Sequence, residues 1–427
     1  MATLQHPPAT WVHQTNIYEV NLRQYTTEGT FNAFAQSLPR LRDMGIEVLW
    51  FMPIHPVGNL GRKGVLGSYY SIEDYTATNP EFGSINDFKN LVEAAHALGF
   101  KVIIDWVANH SSNDNVWIKD HKDFYVQDAE GNIMHPYDWD DVSKLNYDSA
   151  ALRKTMIAAM QFWIDECKID GFRCDMAHLV PLDFWDQART HLDKVKPELF
   201  WLAETEDANY HQVFDASYTW EWMHKTEDYC KGYTDINGLY SILDKYKNEF
   251  PSTAFRAYYT SNHDENSHTG TEYDKFGDAA KALAVFSCTY NGIPLIYSGQ
   301  ELPNLKKLAF FEKDTIEWTG KFELHDFYKT LLHLHSNNKA LSAADENATT
   351  DIIGTDKPNQ VIAYFRKKEN DAVLILLNLS NQYLWAGIND ERITGYYKNI
   401  FSDEGYTFTP ERYFELLPWG YLVYERK

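Results

Sequence analysis

Short apolar runs alternate with amphipathic stretches along most of the chain. Residues 16–20, 47–52, 101–105, 170–175, 199–204, 213–218, 257–264 and 293–298 read as eight strands, each four to eight residues of mainly apolar type. Between them, 31–44, 85–98, 150–167, 183–195, 239–250, 278–289 and 325–336 read as helices. Phe34, Leu38, Leu41 and Met44 mark one face of the first, and Gly99 follows the second as a stop signal. Strands alternating with helices call for parallel βαβ units, and eight of them predict an α/β fold of the (β/α)8 TIM-barrel type.

Two stretches depart from this rhythm. Residues 111–146 have no periodicity but carry Trp117, Phe124, Tyr125, Tyr137 and Trp139. That is too long for an ordinary strand-to-helix connection, so a short inserted subdomain is expected after the third strand. Past residue 343 the pattern becomes short strands (360–366, 372–379, 383–387, 395–401 and 416–425) separated by turn residues, which predicts an all-β C-terminal region. The expected division is 1–110 with 147–343 for the barrel, 111–146 for the insert and 344–427 for the C-terminal domain.

Composition narrows the partners. A formal net charge of −22 over 427 residues disfavours nucleic acid and anionic lipid. No apolar segment approaches the roughly 18 residues that suggest a membrane span. Cys167, Cys174, Cys230 and Cys288 form no C-x-x-C pair and read as free thiols. Residues 1–13 show no basic region followed by an apolar run. A cytoplasmic protein is expected, or a periplasmic or secreted one if a signal peptide has been removed. Oligomeric state is left open.

The chemistry sits where the strands end. Arg173 and Asp175 lie two apart and share one face of a strand. An isolated Arg-x-Asp is ordinarily a salt bridge, and a single histidine is ordinarily a core residue. Yet Asp105, His110, Arg173, Asp175, Glu204, His263 and Asp264 all fall at or just past predicted strand ends. Barrel closure gathers such positions at one mouth, where mutual repulsion of acids calls for a shared role. Two carboxylates flanking a bond are the requirement of glycoside hydrolysis. Asp175 suits the nucleophile, since Arg173 favours its charged form. Glu204 suits the acid, since the apolar run 199–202 precedes it. Asp264 is a third acid for sugar hydroxyls, His110 and His263 are donors to the same ring, and Tyr70 is a stacking surface. No H-x-x-x-H or H-E-x-x-H spacing joins these histidines, so catalytic zinc is not expected.

Read together, Asp105 to His110, Gly171-Phe172-Arg173-Cys174-Asp175, Ala203-Glu204 and Asn262-His263-Asp264 resemble four motifs of the α-amylase family of retaining glycoside hydrolases, in order and at the right spacing. Ser68 to Tyr75 is similar to that family's stacking-tyrosine segment, and Gly292 to Glu301 to its eighth strand. The resemblance implies Asp175 as nucleophile, Glu204 as acid/base and Asp264 as transition-state stabiliser, with Tyr70, His110, Arg173 and His263 around the cleaved sugar. It implies Asp105 and Asp74 as structural residues near the site, and His178, Trp201 and Glu206 along the acceptor side. The C-terminal strands become a β-sandwich.

Departures bear on calcium. Asn109 matches the family's side-chain calcium ligand, but the histidine after the nucleophile, His178, stands one place early, and the insert holds only 36 residues. The expectation is no cofactor for the chemistry, with a structural calcium at Asn109 left open. The implied activity is hydrolysis of α-1,4-glucosidic bonds in starch, glycogen or maltooligosaccharides with retention. The alternatives are a glucanotransferase, an α-glucosidase acting on short α-glucosides, and a non-catalytic carbohydrate-binding protein, against which the intact acid triad argues.

Overall fold

The computed structural model describes residues 6–427, so the first five residues of the stretch read for a targeting signal lie outside it. Eight parallel strands close a barrel: β1 (Ile17–Val20), β2 (Val48–Phe51), β3 (Lys101–Val107), β4 (Gly171–Asp175), β5 (Phe200–Ala203), β6 (Ala216–Tyr218), β7 (Phe255–Tyr258) and β8 (Ile293–Tyr297). Each strand pairs with its sequence neighbours, and β1 joins β8 through Ile17 opposite Leu295. Helices cover the outside and side chains fill the inside, so the strands are buried on both faces and read as continuous apolar runs.

Some elements differ from expectation. The helix expected over 31–44 is two, Phe31–Ala35 and Leu38–Met44. The second restarts with Pro39 in its first turn, where a missing N–H costs nothing. The strand expected over 213–218 is only Ala216–Tyr218, because Val213 ends the 3-10 segment Ala208–Gln212. An unforeseen helix, Trp220–Cys230, follows it, with Trp222, Met223 and Thr226 buried. The strand expected over 257–264 ends at Tyr258, which leaves Asn262, His263 and Asp264 on the loop at the barrel mouth.

The insert after β3 is anchored by a small antiparallel ribbon, His110–Ser112 against Val142–Lys144. Past the barrel, β9 (Thr349–Ile353), β10 (Val361–Lys368), β11 (Asp371–Asn378), β12 (Leu384–Asn389), β13 (Gly395–Asn399), β14 (Gly405–Phe408), β15 (Glu411–Leu416) and β16 (Tyr421–Arg426) form a six-stranded sheet, β9-β10-β11-β16-β13-β14, and a pair, β12-β15. Phe365, Leu374, Ala386, Phe414 and Tyr424 share the core between them. The single strand expected over 416–425 is broken in two by Pro418 and by Trp419, whose φ is 53°. Among the described residues no helix is long and apolar enough to cross a membrane.

Candidate active site

Barrel closure brings the strand-end residues to one mouth. β4 starts at Gly171, where any Cβ would meet the Phe200 carbonyl oxygen at 2.0 Å, so β4 and β5 approach more closely than a side chain permits. Two residues on, Arg173 points into the barrel with its guanidinium fully buried. Nη1 donates to both Asp105 oxygens (3.0 and 3.2 Å) and to Asp175 Oδ1 (3.1 Å). Nη2 is ion-paired with Glu204 Oε2 at 2.9 Å, and Nε donates to the Tyr218 hydroxyl at 3.1 Å. One cation therefore serves three carboxylates from β3, β4 and the end of β5.

That sharing changes the electrostatics expected from sequence. Burial pushes the Asp175 carboxyl up to about 6; Arg173 opposes, while Asp105 and Asp264 add to the rise. Arg173 favours the charged form, as expected from sequence, but a guanidinium divided among three acids does not offset their desolvation. Burial pushes Glu204 higher, to about 7, against Arg173 and the Met176 amide, which donates to Oε2 at 2.7 Å. Both carboxyls are thus raised by the same cause, burial, with Arg173 opposing it in each.

The opposite wall is a second relay. The Tyr70 hydroxyl donates to Asp105 Oδ2 (3.2 Å) and receives His263 Nε2 at 2.6 Å. His263 Nδ1 meets Glu19 Oε1 at 2.5 Å, and Nε2 lies 3.4 Å from Asp264 Oδ2. Burial opposes its charge, but Asp264 and Glu19 outweigh burial and raise His263 to about 9, so both ring nitrogens carry protons. Asp264 is half-exposed at the mouth. His110 is buried and neutral, pushed down to about 4 by burial, with its ring 5.6 Å from Trp139 of the insert.

The remaining expected residues fall elsewhere. Trp201 is fully buried on the helix side of β5, against Phe172 (5.4 Å) and Phe214 (6.1 Å), so it cannot line an acceptor site; strand alternation sends it outward. Asp74 caps its own turn, accepting from the Thr76 amide and hydroxyl at 2.8 Å, and makes no contact with the acid cluster. Glu206 pairs with Arg256 at 3.1 Å. His178 is exposed at the rim, with Nδ1 3.5 Å from the Glu204 carbonyl oxygen. The Asn109 amide donates to His110 Nδ1 at 3.1 Å. Among the described residues no group of three His, Cys, Asp or Glu side chains is placed to hold a metal ion, and the carboxylates that do converge are taken up by Arg173, so a carboxylate-built calcium site is not formed around Asn109.

Sequence reasoning missed four residues that complete the site. Glu19 holds His263; its signal was a lone acid inside the buried strand Ile17–Val20. Trp50 donates Nε1–H to Asp105 Oδ2 at 3.2 Å and lies 4.9 Å below the Arg173 guanidinium. Tyr218 bonds Arg173 from β6. Phe310, after β8, lies nearly parallel to Tyr70. The last three carried no sequence signal apart from being aromatic.

Residues 13–356 match the family model described as α-amylase, catalytic domain. The chain is 27% identical to α-amylase MalA of Haloarcula japonica over 93% of its length, and 27% identical to an α-1,4-glucan:maltose-1-phosphate maltosyltransferase of Corynebacterium pseudotuberculosis over 82%. It spans 61% and 56% of the lengths of those two relatives. Its fold is similar to the crystal structure of a noncanonic maltogenic α-amylase, AmyB, from Thermotoga neapolitana, with a TM-score of 0.89, 31% identity, and coverage of 97% of this chain and 99% of that one.

Proposed function

We propose that this chain, which belongs to the α-amylase family of glycoside hydrolases and is an enzyme acting on α-glucans, cleaves α-1,4-glucosidic bonds of starch, glycogen or maltooligosaccharides with retention. The observation that carries this reading is the shared guanidinium. Asp175 and Glu204 sit side by side on Nη1 and Nη2 of Arg173, both raised by burial. A pair held this close suits direct attack at about 5–5.5 Å better than the wider, ~6.5–9.5 Å arrangement that admits a water.

In the first step an Asp175 oxygen bonds the anomeric carbon, the bond to the leaving oxygen breaks, and the Glu204 proton passes to that oxygen. In the second, Glu204 takes a proton from water, whose oxygen displaces the Asp175 carboxylate. Arg173 holds both carboxylates throughout. The protonated His263 and half-exposed Asp264 face the ring as donor and acceptor, and Tyr70 supports its apolar face. No step needs a metal or cofactor. Free Cys167, Cys174, Cys230 and Cys288 support a reducing compartment.

Proton NMR of a maltooligosaccharide digest tests the mechanism: the first product formed is the α-anomer, whereas a β-anomer would refute double displacement. Incubation with maltotriose separates the activities. Shorter sugars alone support hydrolysis, longer ones a glucanotransferase, and glucose released singly an α-glucosidase. Asp175→Asn retaining full activity would mean a non-catalytic role for this cluster.

A further inference from the structure

We infer that Phe310 is a specificity-determining residue that binds the second glucose unit on the non-reducing side of the cleaved bond, so that the enzyme recognises a maltosyl rather than a glucosyl unit. This rests on the catalytic reading given above.

The direction of the substrate follows from the guanidinium. Glu204, which protonates the leaving oxygen, occupies Nη2 of Arg173, so the departing chain lies towards β5 and His178. Asp105, with Tyr70 bonded to it, occupies the Nη1 side. The retained part of the glucan therefore extends over Tyr70 and away from Glu204. Phe310 is what it meets there. Its ring lies 6.4 Å from that of Tyr70 with only 9° between the planes. His268, four residues beyond Asp264, meets the Phe310 ring at 5.2 Å. Two near-parallel rings thus stand close to one another beside the acid cluster, and a pyranose offers apolar C–H faces that stack on such rings.

The segment carrying Phe310 is held on three sides. The buried Gln24 side chain donates to the Ala309 carbonyl at 3.0 Å and the Glu312 carbonyl at 2.6 Å, and accepts from the Asp314 amide at 2.6 Å. Asn266, buried beside the Asp264 loop, accepts from the Leu308 amide at 3.0 Å and donates to the Lys306 carbonyl at 3.1 Å. The Leu66 amide donates to the Phe311 carbonyl at 3.0 Å. Six bonds, three on either side of one half-buried ring, fix it before substrate arrives, so little ordering entropy is lost on stacking.

The test compares kcat/KM for α-maltosyl fluoride and α-glucosyl fluoride, which share the reacting bond and differ by the second sugar. The wild-type ratio is expected to favour the maltosyl donor. Phe310→Ala is expected to lower the ratio about tenfold, the equivalent of about 1.4 kcal/mol, and Phe310→Tyr to restore it. A purely structural role would scale both donors together, so an unchanged ratio overturns the inference. Turnover of neither fluoride by the wild-type enzyme would instead overturn the catalytic reading, and this inference with it.

Discussion

Replacing Arg173 by methionine, similar in length but uncharged, removes the cation that touches Asp105, Asp175 and Glu204, the only one to do so among the described residues. All four groups are buried. Breaking one buried pair costs about 3–5 kcal/mol, because a charge is left without compensation. The acids escape part of that cost by keeping protons. One pKa unit is worth about 1.4 kcal/mol, so a further rise of two to three units on a single carboxyl matches the same range. The sign follows from linkage. These carboxyls already titrate above their unfolded values, and the substitution raises them further. The stability tied to their protonated form is complete below the unfolded value of about 4 and is lost as pH rises through the folded values. Arg173→Met should therefore be less stable than wild type by about 3–5 kcal/mol at pH 8, with the gap shrinking by pH 4.5. Urea unfolding followed by tryptophan fluorescence at both pH values measures it. A gap as wide at pH 4.5 as at pH 8 would refute the idea that Arg173 acts by holding carboxylates ionised, and would leave packing as its contribution. Activity at pH 7 should fall at least about 100-fold, the scale for losing a preorganised charge partner.

Three further outcomes are expected. The kcat/KM profile should be a narrow bell, falling below about 6 as Asp175 gains its proton and above about 7 as Glu204 loses its own, with Glu204→Gln abolishing the alkaline limb in a pH-rate series. The same variant should lose about 10²–10⁴-fold on maltotriose, yet far less in forming the glycosyl-enzyme from a glycosyl fluoride, whose leaving group needs no proton; equal losses in stopped-flow measurements would remove Glu204 from the acid role. Glu19→Gln should lower the histidine titration near 9, seen in imidazole NMR, because one of the two carboxylates that keep His263 charged is gone; the stability His263 lends, present below its unfolded value of about 6.5, should then be lost at lower pH than in wild type.

The barrel was legible because its strands are buried on both faces and must be apolar throughout, and because helices recur between them. Boundaries were less legible where local turn chemistry decided them. Pro39 restarts a helix inside what reads as one apolar stripe, and Trp419 in a left-handed conformation splits what reads as one strand. Trp201 shows the limit for side chains: it precedes Glu204 by three residues, an odd spacing that puts it on the outward face of β5, so nearness along the chain misled.

Which chemical groups reach the mouth is written in the order of residues along the chain. Residue type and strand-end position suffice to nominate Asp175, Glu204 and Asp264, because parallel βα units bring those ends together whatever their separation along the chain. How the acids share charge is set by packing. That depends on distances between strands far apart in sequence, here one guanidinium set within about 3 Å of three carboxylates, and on a burial that outweighs it. The same holds for Glu19 beneath His263 and for Phe310 beside Tyr70, whose roles exist only once β1, β7 and the loop after β8 are packed against one another.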